Sequence, residues 1–69
     1  MDRIKISTEY IKLDQFLKWV GIADTGAIAK IMILNGDVNV NGMVSKERGK
    51  KLRKGDIIEV KDIGSFEII

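Results

Sequence analysis

Apolar and polar positions near the N-terminus follow two successive periods. The opening RIKIS alternates Ile4 and Ile6 with charged residues, which is the two-residue period of a half-buried strand. From residue 12 onward the spacing changes to i, i+3, i+4 and i+7, at Leu13, Phe16, Leu17 and Val20. This stripe predicts an amphipathic helix that begins at Lys12 and ends at Gly21. Trp19 lies off the stripe, and we expect it to be partly exposed.

A second helix is predicted within IADTGAIAKIMILNG. A side-chain oxygen of Asp24 or Thr25 can accept a hydrogen bond from a free N–H group of its first turn, and Gly36 can end it. Lys30 is the only charge between these ends, so the helix is apolar nearly all round. Such a helix is expected to be covered on more than one side, either between the first helix and a sheet or by a partner, and we favour packing within the domain.

The remaining pattern predicts short strands joined by tight turns. Val38 and Val40 alternate with polar residues, and Asn41-Gly42 is a strong signal for a two-residue hairpin. Residues 46–54 are predicted to form a long connection, closed by a turn at 54–56. DIIEV and FEII alternate in the same way, with Ile58 and Val60 on one face of the first strand and Phe66 and Ile68 on one face of the second, and a turn is predicted at 62–65. The order of strand, two helices and an antiparallel run of strands predicts one α+β domain over residues 1–69.

Composition narrows the possible chemistry of this 69-residue chain. It has no cysteine and no histidine, which removes disulfides, thiol nucleophiles and the usual general base and metal ligands. Glycine-rich phosphate-binding motifs are also absent. We therefore assign no catalytic residue, no metal site and no cofactor, and do not expect an enzyme. The chain lacks a long apolar run and a signal-like N-terminus, so we expect a cytoplasmic protein without membrane association.

Positive charge is concentrated in residues 46–54, which we call the basic segment. The formal net charge is +2, from 12 basic and 10 acidic residues. The basic segment holds six basic residues and Glu47, a sum of +5, so the rest of the chain sums to −3. A local positive field of this kind suits a polyanion, although a solvated lysine-rich loop would have the same composition. Its candidate phosphate-binding residues are Lys46, Arg48, Lys50, Lys51, Arg53 and Lys54.

Other polar residues can extend this surface. Asn41 lies nearby at the predicted hairpin, where tolerance of positive φ is a sufficient structural reason for it. Lys12, Lys18 and Lys30 join the surface if both helices present their polar sides to the same face. Contacts from such residues to phosphates supply affinity rather than sequence information.

These motifs together resemble the S4 RNA-binding domain, also called the αL motif. The resemblance lies in KLDQFLKWVGIADTGAIAKIMILNGDVNVNG followed by RKGDIIEV, and it covers about residues 11–60. It includes the helix start at 12–14, Ala29-Lys30 with Ile33, the G-x-V-x-V-N-G run at 36–42, and the Gly55-Asp56 strand entry. The stretches TEYIKLDQFLK, DTGAIAK, ERGKKL and GSFEII are most similar to the small stand-alone bacterial members.

The resemblance implies two helices packed on a small, strongly bent antiparallel sheet, and binding to structured RNA, often ribosomal or transfer RNA. By this resemblance Lys12 starts the first helix where arginine is usual, and Thr25 and Lys30 take polar RNA-facing positions on the second. Many members carry arginine where this chain has Gly26, so the basic segment must supply more of the attraction.

The resulting hypothesis is a monomeric, non-catalytic protein that docks on structured RNA, above all ribosomal RNA. The alternative is a protein-interaction module that binds a ribosomal or replication protein through the apolar second helix and Trp19. A ubiquitin-like sulfur carrier is disfavoured, because the chain ends in Ile68-Ile69 rather than Gly-Gly.

Overall fold

The computed structural model describes residues 1–69 and has two helices and seven strands. The helices are α1 (Leu13–Trp19) and α2 (Gly26–Leu34). The strands are β1 (Asp2–Ile4), β2 (Ile11–Lys12), β3 (Val38–Val40), β4 (Met43–Val44), β5 (Lys51–Leu52), β6 (Ile57–Val60) and β7 (Gly64–Ile68). The predicted α+β class is confirmed. Neither helix is long and apolar enough to cross a lipid bilayer.

Five strands form the main sheet in the order β1-β7-β6-β3-β4. Four strands of this sheet follow the helices in the chain, namely β3, β4, β6 and β7, and they pair antiparallel, as predicted. β1 pairs with β7 in parallel, with Asp2 opposite Phe66, so the sheet is mixed and differs in this one pair from the antiparallel sheet that the resemblance implied. Alternation along β1 indicates a strand but carries no information about the direction of its partner. Both helices lie between β1 and β7 in the chain, which is the long connection that a parallel pair requires.

One face of the sheet carries the core. Val40 lies opposite Ile58, which lies opposite Phe66, and all three are buried. Fourteen buried apolar residues from all parts of the chain form a single cluster. The predicted inward positions of DIIEV and FEII are confirmed, because side chains alternate between the two faces of a strand.

The Asn41-Gly42 hairpin joins β3 to β4 as predicted. Both residues have positive φ, 52° and 84°, as a two-residue turn of type I′ requires. Turn chemistry is therefore a sufficient local reason for this pair of residues.

Helix α1 packs on the sheet through its apolar stripe. Leu13, Phe16 and Leu17 are fully buried, and the Phe16 ring meets Phe66 of β7 edge-on at 5.8 Å between centroids. The end of the helix at Gly21 (φ 81°) and the exposure of Trp19 at 56% are both as predicted. The helix stripe can therefore be read correctly from the sequence alone.

Within the protein, helix α2 is covered on one side only, so the favoured prediction that the domain itself covers it on more than one side is wrong, and the alternative of a partner stays a prediction. Ala29 and Ile33 are fully buried, but Ile28, Ile31 and Leu34 remain exposed. Because α1 already lies against the sheet and the chain has no further layer, nothing within the protein covers the outer face of α2. Its start is settled by Thr25 rather than Asp24, since the Thr25 hydroxyl accepts a hydrogen bond from the Ile28 N–H at 3.1 Å.

Two further boundaries differ from the predictions. The basic segment was expected to be a long connection, but it contains β5, which pairs with β2 in a separate two-stranded sheet. These strands have two residues each, too few for a recognisable period. The turn predicted at 62–65 instead covers residues 61–63, and β7 begins at Gly64. Asp62, at φ 62°, reverses the chain two residues before Gly64, so the turn ends before this glycine.

Candidate nucleic-acid interface

The pairing of β2 with β5 forms a ribbon with one apolar and one cationic side. Ile11 lies opposite Leu52, and Lys12 lies opposite Lys51. Directly opposed residues of an antiparallel pair point to the same side. Leu52 is fully buried and Ile11 is half-buried, whereas Lys12 and Lys51 are exposed. Burial of the apolar side therefore turns both ammonium groups outward.

A tyrosine ring lies beside the cationic side of this ribbon. The Lys51 Nζ atom is 4.9 Å from the centroid of the Tyr10 ring, and the Arg53 Cζ atom is 5.7 Å from it. Both distances are within the range of attractive cation–π contacts, about 6 Å. We call Lys12, Lys51 and Arg53 the cationic platform, and the Tyr10 ring lies beside it.

The basic segment is held against the start of α1 by its backbone. The Leu13 N–H donates to the Lys50 carbonyl oxygen at 2.8 Å, and the Asp14 N–H donates to the Arg48 carbonyl oxygen at 3.0 Å. Helix α1 has no side-chain cap at Lys12, so these carbonyls satisfy N–H groups that the helix itself leaves free. The contacts bring Arg48 and Lys50 next to Lys12, although they are distant in sequence.

A second contact joins the hairpin to the turn at the end of the basic segment. The Asn41 side-chain amide donates to Asp56 Oδ1 at 3.0 Å and accepts from the Ile57 N–H at 2.9 Å. The other oxygen of Asp56 accepts from the Arg53 N–H at 2.8 Å. The hairpin end therefore lies beside the turn that carries Lys54.

The cations of the platform are not neutralised within the protein. The one ion pair of the chain joins Arg3 to Glu67 at 3.6 Å, on β1 and β7. No carboxylate pairs with Lys12, Lys51 or Arg53. Two lysines directly opposite each other repel, which disfavours the free protein slightly. An arrangement of this kind suits a polyanionic ligand that relieves the repulsion.

The structure brings together most of the residues predicted for RNA binding. Lys12 and Lys51 lie on the β2–β5 ribbon, Arg53 follows β5 directly, and the backbones of Arg48 and Lys50 contact the start of α1. Asn41, Lys46 and Lys50 line one shallow depression, and Lys54 is exposed in the adjoining turn.

The three remaining predicted residues are not part of this cluster but lie on the helices. Lys18 is in the last turn of α1, about 9 Å along the axis from Lys12. Thr25 caps α2, and Lys30 is exposed on that helix. The RNA contacts of these three residues, like those of the other eight, remain predictions.

Tyr10 is the residue of this site that the sequence analysis missed. It stands two positions before Lys12, on the same side of an extended segment, while Ile11 between them turns toward the core. Recognition of β2 as a strand would have revealed this alternation.

Comparison with known proteins agrees with this architecture. The family model described as the S4 domain matches residues 4–69. The chain is 39% identical over 66 residues to the probable ribosome maturation protein RlbA of Bacillus subtilis (strain 168), covering 96% of this chain and 93% of that relative. The resemblance seen in the sequence is thus confirmed, and the chain belongs to the S4 domain family.

Proposed function

We propose that the protein binds structured RNA, with ribosomal RNA as the expected target, through the cationic platform and the adjoining basic segment. Membership of the S4 domain family supports RNA binding, and a relative named for ribosome maturation supports a ribosome-related role. The observation that carries the proposal is the gathering of Lys12, Lys51 and Arg53 on one exposed side of the ribbon without carboxylate partners. We further propose that the protein acts in the cytoplasm, as a monomer and without catalysing a reaction.

The physical basis of binding is the exchange of counterions for side-chain cations at the RNA backbone. Each phosphate neutralised by a lysine or arginine releases counterions. The logarithm of the affinity therefore falls with the logarithm of the salt concentration, with a slope of about −0.7 to −0.9 per phosphate. Arginine can also donate two parallel hydrogen bonds to one phosphate. Contacts of this type position the protein on the RNA without reading its sequence.

Two charge-matched double variants test the proposal. Lys51→Ala with Arg53→Ala removes one lysine and one arginine from the platform. Arg3→Ala with Lys61→Ala removes the same charges from elsewhere in the chain. We expect the platform variant to bind purified, folded ribosomal RNA about tenfold or more weakly, with a salt slope lower by about 1.4 to 1.8. The control variant should keep most of its affinity for the RNA and most of its salt slope.

Binding is measured by titration of labelled protein at several salt concentrations, with thermal melting to establish that both variants fold. Equal losses in the two double variants would show that only net charge matters and that the platform is not the contact surface. Absence of RNA binding by the unmodified chain would refute the proposed function itself.

A second candidate function, contact with a ribosomal protein, is favoured by one observation. Ile28, Ile31 and Leu34 of α2 recur at spacings of three residues and are 41%, 57% and 52% exposed. Residues at this spacing share one side of a helix, so α2 presents an apolar stripe to solvent. Such a stripe suits an apolar surface of a protein partner better than RNA phosphates.

Ile31→Ser tests this second candidate, with Ile63→Ser as its control. Ile63 is 54% exposed in the turn between β6 and β7, so the two substitutions remove similar exposed apolar surface. If α2 contacts protein, Ile31→Ser should weaken co-sedimentation with intact ribosomal subunits but leave binding to purified ribosomal RNA unchanged. Identical behaviour of the two variants on intact subunits would exclude this contact.

A further inference from the structure

Two of the three cations of the platform contact an aromatic ring instead of a carboxylate. The Tyr10 ring is near both the Lys51 ammonium and the Arg53 guanidinium, at 4.9 Å and 5.7 Å from its centroid. The face of an aromatic ring carries partial negative charge and attracts cations, but it does not cancel their charge. Lys51 and Arg53 can therefore be restrained while their N–H groups stay available to an anion.

The position of Tyr10 is itself determined by its neighbours. Ile11 turns toward the core and pairs with buried Leu52, so Tyr10 and Lys12 on either side of it turn outward. The Thr8 hydroxyl donates to the Tyr10 carbonyl oxygen at 2.8 Å and restrains the chain just before β2. Tyr10 is half-buried, so its ring has less freedom than that of a fully exposed tyrosine.

Three cations on long, flexible side chains would ordinarily lose rotamer freedom when they bind a ligand. Immobilising a side chain of this type lowers the affinity, and prior restraint reduces that loss. Contact with the ring supplies such restraint for two of the three side chains, and cross-strand pairing keeps Lys12 opposite Lys51.

We propose that Tyr10 is a positioning residue, which holds Lys51 and Arg53 so that they and Lys12 converge on neighbouring phosphodiester groups of the RNA backbone. The inference rests on the proposed RNA-binding function and adds to it a ligand group and a device for preorganisation. The ring acts through the cations and does not itself stack on a base.

The first test examines the free protein, so its result is independent of RNA binding. Protons held over an aromatic ring are shifted upfield in NMR spectra. We expect upfield shifts for the Lys51 ε-methylene and Arg53 δ-methylene signals, retained in Tyr10→Phe and lost in Tyr10→Leu. Ordinary shifts for both side chains in the unmodified protein would overturn the inference and leave the proposed function standing.

The second test asks whether Tyr10 acts through the two cations. Tyr10→Leu should weaken binding to folded ribosomal RNA about tenfold, because two long side chains must then be ordered on binding, and Tyr10→Phe should bind like the unmodified chain. Combined with Lys51→Ala and Arg53→Ala, Tyr10→Leu should have no additional effect. An equal loss in both backgrounds would mean that the ring contacts RNA directly and would overturn the inference.

Two controls keep these outcomes separable. Thermal melting shows whether the Tyr10→Leu variant folds. If this variant does not fold, Tyr10→Phe still tests the inference, because a phenyl ring attracts cations as a phenol ring does. A loss of affinity in Tyr10→Phe would then overturn the inference. Failure of the unmodified chain to bind RNA would refute the proposed function, whereas the ring-current shifts would be unaffected.

Discussion

At the residue scale, Asn41 serves both a local and a distant requirement. Its backbone, at φ 52°, takes the left-handed conformation that the two-residue turn demands. Its side chain bonds Asp56 and the Ile57 N–H, fifteen and sixteen residues further along the chain. The Asn-Gly pair predicted the turn, but nothing in neighbouring residues indicates the second role. The resulting link holds the hairpin beside the turn that follows the basic segment.

Asn41→Ala should lower the free energy of unfolding by about 2 kcal/mol. It removes two hydrogen bonds of about 0.5 to 1.5 kcal/mol each and places a residue with poor tolerance of positive φ in the turn. In a double-mutant cycle with Asp56→Ala, the combined loss should be smaller than the sum of the single losses by about 1 kcal/mol. Urea denaturation measures these differences, and additive losses would contradict the Asn41–Asp56 contact.

At the element scale, the two helices begin in different ways. Helix α2 is capped by its own Thr25 side chain, a local device visible in the sequence. Helix α1 has no side-chain cap, and carbonyls of Lys50 and Arg48 accept its first N–H groups. The start of α1 therefore depends on the basic segment, whereas the start of α2 depends on adjacent residues alone.

Thr25→Ala should destabilise the protein by about 1 kcal/mol, the usual value of a side-chain cap. For a chain of this size that corresponds to a decrease in melting temperature of about 4 to 8 °C. Thr25→Ser keeps the accepting hydroxyl and should stay close to the unmodified chain. A serine variant as unstable as the alanine variant would show that the cap is not the stabilising contact of Thr25.

At the scale of the whole molecule, positive charge is concentrated in the basic segment, and the rest of the chain sums to −3. The basic segment wraps the start of α1, while carboxylates such as Glu59 and Glu67 lie on the sheet. Glu59 and Glu67 alternate with core residues, so they point away from the side of the sheet that carries the helices. Separated charge of this kind orients the protein as it approaches a polyanion, with an effect that weakens as salt increases.

Most regular elements could be predicted from the sequence because their signals are local. The stripe of α1, the alternation in β6 and β7 and the Asn-Gly turn are properties of residues within a few positions of one another. The ribbon of β2 and β5 could not be predicted, because two residues show no period. The cover of α2 was predicted wrongly, because apolar composition shows that a face favours burial and not whether anything is available to bury it.

The sequence by itself determined the α+β class, the family resemblance and the concentration of positive charge in the basic segment. Composition, period and motif spacing are all properties of the residue order alone. Only the tertiary structure decided that Lys12 would lie opposite Lys51, with Tyr10 beside Lys51 and Arg53. The physical reason is burial of Leu52: a shift of one residue in the register would expose it and turn the cations inward. The burial of one apolar side chain thus sets which side of the ribbon presents its cations to solvent.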